Sequence, residues 1–209
     1  MKSRRNPKGY VPIRQKPSCC VPASLQMIMM RYQIKGYSQE TLGNLMGLTI
    51  PPELKRSFSK AAVSKVPPPT GYGTRIHLKE FSLSTVFNKL NLPFKAEVEL
   101  VSDMKNVADL KRRINRIVNN PKLNAMMCVQ SGALEGDPDP SDGHIIVLTG
   151  ANDKNIYYID PGCREIQKTT YAEMFEAMRL RGRENWGGLW KISEIEKERP
   201  AQKAGLGPG

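Results

Sequence analysis

The order of the secondary-structure patterns constrains the fold of this chain more than any other feature. The first half carries helical spacing of apolar residues, most clearly from Cys20 to Tyr32, where Pro22 fits the first turn of a helix. The second half carries short apolar runs that are typical of strands. These runs are Phe94–Leu100, Ala125–Gln130, His144–Thr149, Ile156–Ile159 and Leu189–Ile192. Helices followed by strands favour an α+β fold.

Four further segments have helical patterns. They are Gln39–Met46 after Ser38 as N-cap, Leu83–Leu90, an amphipathic segment that opens at Ser102-Asp103, and Tyr171–Leu180. We expect the helix that begins at Cys20 to end at Gly36, because glycine adopts the left-handed conformation of a helix C-terminus. Residues 49–73 are rich in proline and glycine and predict a loop, with one helical turn around Lys55–Ala62.

The length of 209 residues is enough for one domain with a hydrophobic core. We predict a flexible basic arm at residues 1–12, a folded domain at 13–193 and a flexible polar tail at 194–209. No apolar run is long enough to cross a bilayer, and none follows the basic N-terminus as it would in a signal peptide. The sequence therefore predicts a cytoplasmic protein without a membrane span. It leaves export without a leader open, and also the oligomeric state.

A structural zinc site would draw on four cysteines and two histidines. The cysteines are Cys19, Cys20, Cys128 and Cys163. No C-x-x-C pair is present, so we expect no metal site and no cofactor. Because adjacent cysteines rarely bridge each other, we expect free thiols, as in a reducing compartment.

The net charge of +12 would attract nucleic acids, acidic membranes or acidic proteins. Basic residues concentrate in the first sixteen residues and in the stretches Lys105–Arg116 and Arg179–Arg183. None of these stretches interleaves aromatic side chains as single-strand binders do. The pattern argues against nucleic acid as the main ligand.

Cys20 is the first candidate catalytic residue. A thiol becomes a good nucleophile when it ionises, and a helix N-terminus together with a neighbouring histidine favours the thiolate. Cys20 lies at the start of the predicted helix, whereas Cys19 lies one residue earlier, outside the first turn. We therefore expect Cys20 to be the nucleophile. The alternative is that both cysteines are buried and inert.

His144 and Asp160 are the candidate partners of that thiol. His144 begins one apolar strand and Asp160 ends the next, and a hairpin through residues 150–155 brings the two ends side by side. A histidine base held by a carboxylate is the arrangement that acyl-transfer chemistry needs. Gln15, five residues before Cys20, could donate a hydrogen bond to the developing oxyanion. Taken singly, the three could also be a strand-end histidine, a turn residue and a surface glutamine.

Two segments carry a resemblance to a known family. Residues 15–25, QKPSCCVPASL, resemble the nucleophile segment of the double-glycine (bacteriocin-processing) branch of the papain-like cysteine peptidases. Gly143-His144 and Asp160-Pro161 resemble its Gly-His strand and the Asp-Pro end of its hairpin. The order of elements matches that branch over roughly residues 12–192, but only these segments are specific.

The resemblance implies a papain-like fold, in which an N-terminal helical part with a central nucleophile helix packs on a C-terminal antiparallel sheet. It implies Cys20 as nucleophile, His144 as general base, Asp160 as its orienting partner and Gln15 as an oxyanion donor. The substrate is then a peptide or protein. Val21 departs from the family, which has glycine at that position.

Three functions fit these residues. The first is a cysteine peptidase that cleaves an amide bond through an acyl-enzyme. The second is an acyl transferase or deamidase on the same scaffold, because the segment around Cys20 also resembles phytochelatin synthases. The third is a catalytically inactive papain-like module that binds a partner.

Three further features are interpreted as structural. We expect His77 to have a structural role and Trp186 and Trp190 to pack in the core. The loop at residues 132–143 is rich in aspartate and glutamate. We expect it to be a turn-rich rim of the cleft, where its charge could select a basic substrate.

Overall fold

A six-stranded antiparallel sheet forms the centre of the protein in the computed structural model, which describes residues 5–69, 71–137, 143–182 and 184–195. Its strands are β3 (Phe94–Leu100), β4 (Leu123–Gln130), β5 (Gly143–Ala151), β6 (Asn155–Asp160), β7 (Glu165–Thr170) and β8 (Gly188–Glu194), and two short parallel strands, β1 (Thr49–Ile50) and β2 (Ala62–Val63), lie outside it. The order across the sheet is β3-β8-β4-β5-β6-β7. The predicted α+β class with an antiparallel sheet is confirmed.

Helices cover both faces of the sheet. They are α1 (Cys20–Arg31), α2 (Gln39–Leu45), α3 (Leu83–Lys89), α4 (Val107–Asn119) and α5 (Tyr171–Arg181). The first three pack on one face in a core with Met126, Val147 and Trp190. The last two pack on the other face, in a core with Met127 and Ile146. Because neighbouring residues of β4 and β5 enter opposite cores, these strands are apolar throughout.

The segment before α1 fixes where that helix begins. The N–H of Cys19 donates to the carbonyl of Lys16 at 3.0 Å, which closes a turn around Pro17 and Ser18. Ser18 has a φ of +59°, the left-handed conformation that the third residue of a type II turn requires. The helix therefore starts at Cys20, as expected.

The end of α1 differs from the prediction. The helix ends at Arg31, five residues before Gly36. Gln33 adopts the left-handed φ of +62°, and the N–H groups of Gln33 and Ile34 donate to the carbonyls of Met30 and Met29. This is a Schellman motif, in which a glutamine takes the position that glycine usually fills.

Three other elements also differ from the prediction. The amphipathic helix α4 begins after Asn106, whose side chain accepts from the N–H of Asp109, and not at Ser102. The helical turn predicted near residues 55–62 lies earlier, as a 3-10 helix at Pro52–Ser57. Strand β7 was not expected, because it is an edge strand whose residues are mostly exposed and polar.

The division into arm, domain and tail stays a prediction. Of the arm, the structure describes residues 5–12, which pack against the domain. The Tyr10 side chain is buried, its hydroxyl donates to Asn124 Oδ1 at 2.6 Å, and Lys8 Nζ donates to the carbonyls of Ile117 and Asn120. Residues 1–4 and 196–209 lie outside the described residues. Within the described part of the chain, no helix is long and apolar enough to cross a membrane. The cytoplasmic location stays a prediction.

Candidate active site

Three elements bring Cys20, His144 and Asp160 to one place. Cys20 is the first residue of α1, which packs on β5. His144 is the second residue of β5, and Asp160 is the last residue of β6. The two strands are antiparallel neighbours, so the start of β5 lies beside the end of β6. The juxtaposition that hairpin geometry predicts is present, while the catalytic roles stay predictions.

The His144–Asp160 pair is short and largely buried. Nε2 of His144 lies 2.7 Å from Asp160 Oδ1, and both side chains are only 16% exposed. The same carboxylate oxygen accepts from the N–H of Gly162 at 2.6 Å. Two donors on one oxygen fix the carboxylate, and the carboxylate in turn fixes the plane of the imidazole ring.

Opposing effects set the ionisation of this pair. Burial lowers the pKa of His144, but its hydrogen bonds to Asp160 and Cys20 and their negative charges raise it more, so that its pKa is raised to about 10. Burial raises the pKa of Asp160. The hydrogen bond and charge of His144 and the N–H of Gly162 lower it by more, so the pKa of Asp160 is below its ordinary value. The site therefore favours imidazolium next to carboxylate at neutral pH.

Cys20 lies close to the same imidazole and contributes to the raised pKa of His144. Since Nε2 faces Asp160, Nδ1 is the ring nitrogen left for the thiol. A protonated imidazole at this position stabilises a thiolate. The three side chains thus form a relay from carboxylate to imidazole to sulfur.

Cys19 has a different environment. Its side chain is fully buried, packs with Leu48 and Ile50, and does not line the cavity that holds Cys20 and His144. Burial, together with the neighbouring charge of Cys20, raises the pKa of the Cys19 thiol to about 12. A buried neutral thiol is inert, so the geometry favours Cys20 over its neighbour.

Gln15 lies beside the same site. Its backbone N–H donates to the carbonyl of Pro161 at 2.9 Å, which ties the segment before α1 to the end of β6. Its side chain lines the cavity that holds Cys20 and His144. Its buried Oε1 has no hydrogen-bond partner among the described residues. Gln15 therefore lies at the cavity, while its role as an oxyanion donor stays a prediction.

A cavity of about 680 Å³ opens over these residues. Its walls come from the start of α1, the ends of β4 and β5, and two further sets of residues. These are Pro69, Gly71, Tyr72, Gly73, Thr74, Ile76 and His77, and then Arg181, Asn185, Trp186 and Trp190. Val21 contributes to the wall but is only 4% exposed and belongs to the core, so its side chain does not fill the cavity. The volume is in the range of ligand-binding clefts.

Sequence reasoning missed part of this cleft. Trp190 lies in the core and Trp186 packs against it, as expected, but both also line the cavity. Trp186 is half-buried and has a φ of +63°. Such a backbone conformation is costly for a bulky residue and is concentrated at functional sites. His77 also lines the cavity, with its ring centroid 6.4 Å from that of Trp186. The chain gave no signal for these positions, because the loops that hold them have no periodicity.

The acidic loop lies partly outside the described residues, which exclude Asp139 and Asp142. Among the residues that the structure describes, no group of three His, Cys, Asp or Glu side chains is arranged to hold a metal ion.

These features define an α+β fold with a cysteine at a helix start and a His–Asp pair on the adjoining sheet. A comparable fold is found in a crystal structure from Bacillus anthracis that is described as that of a candidate C39-like peptidase. The TM-score is 0.56 at 15% sequence identity, over 93% of this chain and 98% of that chain. The likeness shows a fold of the general papain-like α+β kind. No protein-family model matches the chain, and a search of curated proteins finds no match.

Proposed function

We propose that the protein is a cysteine peptidase, which cleaves an amide bond of a peptide or protein through Cys20, His144 and Asp160. The observation that carries the proposal is the relay from Asp160 Oδ1, 2.7 Å from the imidazole, to the imidazole and on to the thiol at the start of α1. The fold likeness to a candidate C39-like peptidase supports it.

The first half of the reaction forms an acyl-enzyme. The Cys20 thiolate attacks the carbonyl carbon of the scissile amide, and its proton resides on His144. The oxyanion receives hydrogen bonds from the Cys20 N–H and from the Gln15 side-chain amide. His144 then gives its proton to the leaving nitrogen, the C–N bond breaks and the amine departs.

The second half releases the acid. His144, now neutral, takes a proton from a water molecule, which attacks the thioester carbonyl. The carbon–sulfur bond breaks and Cys20 leaves as the thiolate. Asp160 holds the imidazole in one orientation and tautomer throughout, because its carboxylate is itself fixed by the Gly162 N–H.

Within the papain-like peptidases, we place the chain beside the double-glycine branch. This placement rests on residues 15–25 and on the Gly143-His144 and Asp160-Pro161 segments.

The test compares wild type with Cys20→Ala and with Cys19→Ala as matched control. Each is incubated with a peptide library, with products read by mass spectrometry, and separately with iodoacetamide, followed by peptide mapping. We expect cleavage and rapid labelling at residue 20 in wild type and in Cys19→Ala, and neither in Cys20→Ala. Cleavage that survives Cys20→Ala would contradict the proposal.

The same experiment separates the alternatives. Amide exchange with an added amine, without net hydrolysis, would indicate an acyl transferase. An inert wild type whose peptide binding is unchanged in a Cys20→Ala/His144→Ala variant would indicate a binding module.

A further inference from the structure

We infer that Arg181 binds a carboxylate of the substrate, so that the cleft prefers peptides with an acidic side chain or a free C-terminus next to the scissile bond. The inference rests on the proposed peptidase site. It starts from a cation that faces the cleft and that the catalytic steps do not use.

Arg181 lies against the residue that precedes the general base. It is the last residue of α5, and a methyl group in place of the Gly143 hydrogen would lie 2.2 Å from its Cζ and 2.4 Å from its Nη2. Gly143 and His144 are consecutive, with Cα atoms about 3.8 Å apart. The guanidinium therefore adjoins the catalytic histidine, and the glycine of the Gly-His pair leaves room for it.

The loop after α5 holds Arg181 in this place. A methyl group at Gly187 would lie 2.3 Å from the Met178 carbonyl oxygen and 3.1 Å from Arg181 Cβ. The N–H of Gly187 donates to the Gly182 carbonyl at 2.9 Å, which closes the loop on the end of the helix. Only glycine permits so close an approach, so the stem of Arg181 is confined from both sides.

No acidic partner neutralises Arg181 among the described residues. Its guanidinium lies near the Cys128 thiol, which also lines the cavity, and its buried Nε has no hydrogen-bond partner there. Arg179, two residues earlier on the same helix, instead pairs with Glu176 at 2.7 Å. Arg113 pairs with Glu99 and Asp109. Within the described part of the chain, the charge of Arg181 is thus directed at the cleft.

A carboxylate is the ligand that fits this group best. The planar guanidinium offers parallel N–H donors that match two carboxylate oxygens, and such bonds are stronger in a cleft partly shielded from water. Trp186 and Trp190 line the same cavity and give it an apolar wall, against which the apolar part of the bound substrate residue can pack. The neighbouring acidic loop would favour the opposite preference, for basic peptides, so the two readings can be separated by experiment.

The test measures binding to Cys20→Ala, which does not depend on turnover. The probes are N-acetylated hexapeptide libraries with glutamate, glutamine or lysine fixed at one position, each as the free C-terminal acid and as the amide. We expect a carboxylate to bind about tenfold more tightly than the corresponding amide, as for a charge-assisted hydrogen bond. The comparison is either glutamate with glutamine or the free C-terminal acid with the C-terminal amide. Glutamate dependence would identify a side chain, and dependence on the free acid would identify a C-terminus.

Arg181→Gln in the Cys20→Ala background should abolish this difference, while Arg179→Gln should keep it. Arg181→Lys retains the charge but lacks the planar guanidinium, so it should keep only part of the preference. This variant tests the inference if the glutamine variant does not fold. An acidic preference that survives Arg181→Gln, a preference for lysine, or no preference in the parent would overturn the inference. Failure of wild type to cleave any peptide would overturn the proposed function instead.

Discussion

Replacing Asp160 with asparagine tests the proposed relay at its most strongly coupled contact. Asparagine keeps the size of the side chain but removes the charge that His144 Nε2 contacts at 2.7 Å. A hydrogen bond between charged partners contributes about 1.5 to 3 kcal/mol, and each 1.36 kcal/mol is a factor of ten. We expect the pKa of His144 to fall by about 1 to 2 pH units and kcat/KM to fall about 10- to 100-fold.

The sign of the pH effect follows from the role of the imidazolium. His144 must carry a proton to protonate the leaving nitrogen, so activity is lost as the pH rises through its pKa, about 10 in wild type. Asp160→Asn should move this alkaline limb to lower pH.

Proton NMR can follow the histidines directly, because the chain has only His77 and His144. His77 serves as an internal reference: burial and the charge of Arg75 lower its pKa, although Glu80 opposes this. Asp153→Asn is the matched control, since Asp153 lies fully exposed in the turn at the far end of the same hairpin. An unchanged titration of His144 in Asp160→Asn would refute the reasoning.

Three further predictions concern neighbouring positions. Gln15→Ala should lower kcat about 100-fold with little change in KM, since an oxyanion donor acts in the transition state. Steady-state kinetics in which kcat and KM change by similar factors would contradict this. Val21→Gly should lower the free energy of unfolding by about 2 to 4 kcal/mol in urea titrations, because a buried core side chain is lost from a helix, and unchanged stability would contradict its burial. Lys8→Met should destabilise the protein by about 1 to 3 kcal/mol, because three carbonyls around the end of α4 lose their donor; an unchanged unfolding midpoint would show that the arm contributes nothing.

The fold was predictable where the sequence pattern coincides with burial. The apolar runs of β4 and β5 are continuous because both faces of these strands are buried. Helix α2 begins directly after Ser38, because the Ser38 hydroxyl accepts from the backbone N–H of Thr41. Edge strand β7 lacks such a pattern, since only one of its faces meets the core. The end of α1 was misplaced because Gln33 adopts a backbone conformation that composition does not reveal.

The candidate site was predictable to the extent that it depends on local geometry. The hairpin places His144 beside Asp160, and the helix start favours Cys20 over Cys19, from sequence alone. The packing of α1 on β5, which brings Cys20 to this pair, is a tertiary contact. Arg181 and Trp186 could not be placed in this way. Their positions depend on how the loop after α5 folds back on the helix end, which is a tertiary contact without a local signal.

The most direct test of the central claim is the rate at which Cys20 is alkylated by iodoacetamide at pH 6, in wild type and in His144→Ala. If the imidazolium stabilises a thiolate, Cys20 in wild type reacts much faster than the other three cysteines at this pH, and the His144→Ala substitution lowers its rate at least tenfold. Equal alkylation rates of Cys20 in the two proteins would contradict a nucleophile activated by His144.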